Sequence, residues 1–151
     1  MAIKDVKSSR YQQLMKLEDE RITIGVHDEE GSRTHPTPKE TKDGPVDQTV
    51  AEVAANNELG LDVPRRSFLR DWVDSDLFHA AFKAGVNAIT RIEEYAEPIR
   101  LDLEYSIVQR MQSGLIPPPN SPLTIQKKGH SRTLEETGTL IKSVKAKRQP
   151  K

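Results

Sequence analysis

Leu69-Arg-Asp-Trp-Val-Asp-Ser-Asp-Leu-Phe-His-Ala-Ala-Phe-Lys-Ala-Gly-Val-Asn-Ala-Ile-Thr-Arg-Ile92 is the stretch on which the fold turns. Phe78, Phe82, Gly85, Ile89 and Ile92 recur at intervals of three and four. Leu69, Val73, Leu77, Ala81, Ala84 and Ala88 form an adjoining stripe. Together they make a wide apolar face, the pattern of a long amphipathic helix. Pro98 interrupts the run and reads as the first residue of a new helix, where its missing N–H costs nothing. That second helix carries Leu101, Tyr105 and Val108 beside Leu103, Ile107 and Met111, with Gly114 as its stop.

Upstream, Arg21-Ile-Thr-Ile-Gly-Val-His27 puts Ile22, Ile24 and Val26 on one face, which predicts a half-buried strand. Residues 1–20 read as an N-terminal extension or helix, with a weak stripe of Tyr11, Leu14, Met15 and Leu17. Residues 28–46 hold Gly31, Pro36, Pro38, Gly44 and Pro45 among charges, and read as a mobile polar loop. Asp47 or Thr49 can cap a helix through Val50, Val53 and Ala54 that stops near Gly60. Leu61 to Pro64 then reads as an extended connector, because a proline biases the residue before it away from helix.

Downstream, Pro117, Pro118, Pro119 and Pro122 argue against regular structure, with one short turn allowed over Ser121 to Gln126. Thr133-Leu-Glu-Glu136 matches a capping box and predicts a short helix through Leu140 and Ile141. Gly138 inside it would cost about 1 kcal/mol relative to alanine. Ser143 to Lys147 alternates and predicts a strand that needs another edge to pair with. The expected fold is α+β: a small, mostly antiparallel sheet packed on two or three helices, with extended loops and termini used in assembly. One domain spans 21–147, with a Pro-rich basic connector over 115–133 and a basic tail at 148–151.

Composition narrows the function. The chain has 151 residues, 34% hydrophobic and 5% aromatic. That apolar share is below the usual ~45–50% and predicts a modest core with a partner-dependent fraction. No cysteine is present, which excludes disulfides, thiolate metal sites and thiol nucleophiles. No apolar run approaches the ~18 residues of a membrane span, and Met1 to Leu17 lacks the apolar stretch of a signal peptide. The zero net charge is an average over an uneven chain. Residues 114–151 hold eight basic against two acidic side chains, a balance of +6, which leaves 15 against 21, or −6, in residues 1–113. Such a split suits head-to-tail association with copies or charged neighbours. It also suits a basic tail that is simply solvated.

Catalytic patterns are lacking. His27, His35, His79 and His130 are far apart and not at metal-ligand spacing. Asp71, Asp74 and Asp76 crowd near a helix start, where the helix dipole favours them; paired-carboxylate hydrolysis is the competing reading. Lys128-Gly129 lacks the glycine spacing of a phosphate loop, and Ser67, Ser131 and Ser143 lack elbow glycines. The expectation is no enzyme, no cofactor, no metal and no small-molecule substrate. Lys127, Lys128 and Lys145 to Arg148 raise DNA as a partner through backbone phosphates alone, since the few aromatics fall on core stripes.

Two blocks carry a family resemblance. Asn120-Ser-Pro-Leu-Thr-Ile-Gln-Lys-Lys-Gly129 followed by Leu134-Glu-Glu-Thr-Gly-Thr-Leu-Ile-Lys-Ser-Val144 resembles the C-terminal signature of tailed-bacteriophage neck or tail-completion (virion morphogenesis) proteins. Asn120, Thr124, Lys128, Gly129, Leu134, Thr137, Gly138, Leu140 and Ser143 fall on that pattern. Val50-Ala-Glu-Val-Ala-Ala-Asn-Asn-Glu-Leu-Gly60 and Val63-Pro-Arg-Arg-Ser-Phe-Leu-Arg70 resemble the family's first block, after a strand like Ile22–Val26. Leu61-Asp62 departs from the small residue usual there. The resemblance implies a virion protein of the head–tail junction, assembled in the host cytoplasm. It would act as a homo-oligomeric, commonly sixfold ring touching neck, connector or tail-tube proteins, and channel DNA where exposed. The signature residues Gly60, Pro64, Arg65, Arg66, Phe68, Arg70, Thr124, Lys128, Gly129, Thr137, Gly138, Leu140 and Ser143 would either form the fold or make ring contacts. Pro64 and Phe68 would fix and bury the connector. Gly60 and Gly129 would allow tight turns, and Thr137-Gly138 would let two backbones approach. Arg65, Arg66 and Arg70 would pair across subunits or stay solvated.

Overall fold

A computed structural model describes residues 20–90, 94–134 and 138–150. Among them lie strand β1 (Glu20–Val26), helix α1 (Asp28–Gly31), β2 (Lys39–Thr41), β3 (Gly44–Val46), α2 (Val50–Leu59) and α3 (Arg70–Val73). After these come α4 (Asp76–Asn87), α5 (Ala96–Gln112), α6 (Pro122–Lys128), α7 (Thr139–Ser143) and β4 (Val144–Pro150). The architecture is α+β, with two separate two-stranded antiparallel sheets, β1–β4 and β2–β3.

The first and last described strands close on each other. Val26 pairs with Val144, Ile24 with Ala146 and Ile22 with Arg148. The expected strand at the C-terminal end therefore finds its edge within the chain and runs to Pro150, so residues 148–150 are strand rather than a free basic tail. The charge split is answered at this seam. Arg148 bonds Glu20, Lys147 reaches Glu30 at 3.1 Å, and Lys145 lies 3.5 Å from Glu104. The outer edge of β4 is covered as well: Ala146 N–H donates to Glu104 Oε2 at 2.9 Å and its carbonyl accepts from Arg100 at 3.0 Å.

Helix α5 is the spine. Ile99, Leu103, Ile107 and Met111 recur every four residues and are all buried, packing with Phe68, Trp72, Val50 and Val144. The neighbouring stripe expected on this helix divides: Leu101 and Tyr105 stay outside, 52% and 66% exposed, while Val108 is half-buried against the core. Pro98 is the third residue of α5 rather than the first. All of the first turn's N–H groups lack an intrahelical acceptor, so proline is tolerated there too.

The described part of the long periodic run, 69–90, holds two helices, α3 and α4, broken where Ser75 takes an extended conformation with its hydroxyl on the Trp72 carbonyl. The break turns α4 so that Gly85 meets α5. A Cβ at Gly85 would lie 2.6 Å from Ile99 Cα, so this crossing requires glycine. Residue 92 lies outside the described residues.

Residues 28–46 are not a structureless loop. Asp28 to Gly31 makes one helical turn and 39–46 a hairpin. His35 N–H also donates to Gln48 O at 2.7 Å, and Val50 N–H to Arg33 O at 2.9 Å. Pro45 lies within β3 of this two-stranded ribbon, where every strand is an edge and tolerates proline, while Pro36 and Pro38 precede β2.

Candidate functional site

Both signature blocks converge on one concavity of about 540 Å³. The first block supplies Val53, Asn57, Pro64 and Arg66; the second supplies Asn120, Thr124, Lys128, Gly138 and Leu140.

The first wall is built by helix ends. Thr49, not Asp47, caps α2 in a reciprocal capping box: its hydroxyl accepts from Glu52 N–H while the Glu52 carboxylate accepts from Thr49 N–H. At the other end Gly60 adopts φ +75°, and a Cβ there would sit 2.8 Å from Arg65 Cβ. The tight turn expected at Gly60 is therefore present, and it folds the connector back on α2. Glu58 fixes the return. Its carboxylate accepts from Ser67 Oγ at 2.7 Å, Leu69 N–H at 3.0 Å and Arg70 N–H at 3.1 Å. These bonds satisfy donors at the start of α3 and hold Phe68 and Trp72 in the core. Glu58 is not among the residues that the sequence patterns single out. Its spacing two before Gly60 was the available signal.

Of the pair expected to fix and bury the connector, Pro64 is exposed and Phe68 is fully buried. The connector turns through Asp62 at φ +59°, so the chain bends outward before Pro64 and inward only at Ser67. Arg65 is exposed and donates to the Glu58 carbonyl at 3.3 Å. Arg70 is also exposed, with its backbone on Glu58. Arg66 alone of the three arginines points across the groove, donating to Pro118 O at 3.1 Å and Asn120 Oδ1 at 3.2 Å. Buried Asn120 then donates to the carbonyls of Ser131 and Arg132 at 3.2 and 2.8 Å, tying the proline connector to the second block.

The second wall is α6, longer than the single turn expected. Pro122 sits in its first turn and Ser121 Oγ accepts from Thr124 N–H at 3.2 Å. Thus the proline that argued against structure starts it. Lys128 lies in the last turn and Gly129 closes α6 at φ +77°, a tight turn as expected, with nothing among the described residues crowding it.

Gly138 has a different role from the one expected. Among the described residues no backbone approaches its missing Cβ; it caps α7 at φ +72°. Thr137 lies outside the described residues. The helix begins at Thr139, so Thr133 does not cap it; the Thr133 hydroxyl donates to Gly114 O at 3.3 Å and is buried there. Close approach falls instead on Gly114, whose Cβ would lie 2.9 Å from the Arg132 side chain. Leu140 is in the core, and buried Ser143 donates to Thr139 O at 2.8 Å.

The other candidates are scattered. Asp71 lies in the first turn of α3, Asp74 at its end, and Asp76 in the first turn of α4. Among the described residues no group of three His, Asp or Glu is placed to hold a metal ion, and no helix is long and apolar enough to cross a membrane. Comparison with protein-family models, curated proteins and solved structures finds no match for this chain.

Proposed function

We propose that this chain is a structural subunit of a tailed-phage neck or tail end, acting through a homo-oligomeric ring that completes the tail or joins it to the head. The order and separation of the two sequence blocks is where the reading starts. The observation that carries it is that both blocks build one groove, although more than fifty residues separate Arg66 from Asn120. Uncovered apolar side chains support a role completed by neighbours. Leu77, Phe82 and Val86 on α4 and Leu101 and Tyr105 on α5 are exposed, on helices whose other faces are packed. Large exposed apolar surface on a small protein marks interaction sites.

The alternative is a DNA-binding accessory protein using the basic C-terminal segment. Lys145, Lys147 and Arg148 are committed to carboxylates of the same chain, which favours the ring reading. Quantitative mass spectrometry of purified particles, with sizing of the free protein, tests the proposal. Stoichiometric presence in the particle is expected; absence from it would overturn the structural role. Salt-sensitive DNA binding lost in K145Q/K147Q/R148Q, with no particle incorporation, would establish the alternative.

A further inference from the structure

Leu115 and Leu123 are the two most exposed large apolar side chains among the described residues, at 83% and 72%. Both stand on a connector that is held in place. Ile116 and Asn120 are buried beneath it, Arg66 holds the Pro118 carbonyl, and Asn120 bonds the carbonyls of Ser131 and Arg132. Its four prolines limit its freedom further, so docking through it costs little conformational entropy. Leu123 lies in the first turn of α6, and exposed Lys127 follows four residues later on the same helix face. Residues 113–129 contain no acid.

An apolar groove of about 650 Å³ lies elsewhere on the same chain, lined by Ile22 and Ile24 of β1, by Leu69 and Val73, and by Phe78 of α4. Asp74 stands in its wall, and residues 70–78 hold Asp71, Asp74 and Asp76 against Arg70 as the one base. Among the described residues neither Asp74 nor Lys127 has a side-chain partner. The other two hollows do not suit Leu123 and Lys127. The groove between the sequence blocks has Pro118, Pro119 and Thr124 of the same connector in its own wall. The hollow between α5 and α7 is flanked by Lys142 and Lys145, of like sign to Lys127, and its Glu104 already bonds Arg100 and Lys145.

A projecting apolar side chain and an apolar groove of opposite charge, at different places on one chain, associate head to tail, each copy filling the next. We propose that Leu123 of one copy seats in the groove between β1 and α3 of a second copy, with Lys127 of the first facing Asp74 of the second. Apolar burial supplies the attraction and the charge pair sets the register. This contact deepens the ring reading by naming the faces that meet, and rests on it only for the closing of the ring.

The chain has no cysteine, so single-cysteine variants of the full chain report each face separately. Val73 lines the groove, and exposed Gln126 lies beside Leu123 on α6. V73C and Q126C, purified apart, mixed at high concentration and treated with a short bismaleimide, should give a cross-linked dimer joining one of each. Either variant alone should give little, and V73C/Q126C in one chain should give a ladder of multimers. At sub-saturating concentration K127E should lower the mixed yield about two- to fivefold, the worth of an exposed ion pair. D74K in the V73C chain should restore it, which a fold defect would not allow. L123D should abolish the yield, with a melting temperature equal to that of Q126C alone. No mixed dimer, equal dimer from either variant alone, a cross-link confined within the double variant's own chain, or a K127E loss that D74K does not rescue would each overturn the proposal. So would a V73C variant that a monofunctional maleimide cannot label, because the groove would then be covered by its own chain. These yields are read in solution, so their failure is separate from absence from the particle.

Discussion

Gly60 and Gly129 end their helices in the same left-handed conformation, yet only Gly60 is crowded. Left-handed backbone costs an ordinary residue about 1–2 kcal/mol. Gly129→Ala should lose about that much in urea unfolding. Gly60→Ala should lose more, because its new methyl meets Arg65. Equal losses would show that the return of the connector is not fixed by contact at this glycine. Glu58 supplies the second residue-scale prediction. It satisfies three donors at the start of α3, so Glu58→Gln should destabilise by about 1–3 kcal/mol by chemical denaturation. A variant as stable as the wild type would contradict the capping role. The two glycine turns were legible in the sequence, since only glycine fits such positions cheaply. The roles of Glu58, Arg66 and Asn120 were not, because each depends on partners that the folded connectors bring within reach.

Among the elements, helices α2 and α5 were readable from caps and spacing. The break at Ser75 and the ribbon within 28–46 were not, because tertiary contacts decide them. The β1–β4 seam gives the element-scale prediction. Hydrogen bonds from Arg148 hold the Glu20 carboxyl below the ordinary glutamate range, and those from Lys147 do the same for Glu30. A carboxyl whose folded pKa is depressed stabilises the fold above its unfolded value, near about 4.3. That contribution is lost as pH falls through the folded value. Thermal melts followed by circular dichroism should therefore hold steady from about pH 7 to about pH 5 and drop below about pH 4. The drop should be shallower in K147M/R148M, which lacks both cations. An equal drop in that variant would assign the acid sensitivity elsewhere. Arg100 extends this lattice: it bonds Glu97 and Glu104 and braces β4, so the seam and the spine should loosen together.

For the whole molecule, the opposed charges of residues 1–113 and 114–151 meet partly inside the fold, where they close β1 on β4. What the chain leaves outward is apolar surface on α4 and α5. The apolar stripes were legible as stripes, but their periodicity could not say which would be covered by this chain and which left for another. A surface of that kind fits a subunit finished by its neighbours in a ring. The most direct measurement is a cryo-electron-microscopy reconstruction of the head–tail junction of particles from cells carrying this gene. It should contain a closed ring of this fold between portal and tail, with α4 or α5 against the adjacent copy. A junction resolved to side chains with no copy of this chain would contradict the account.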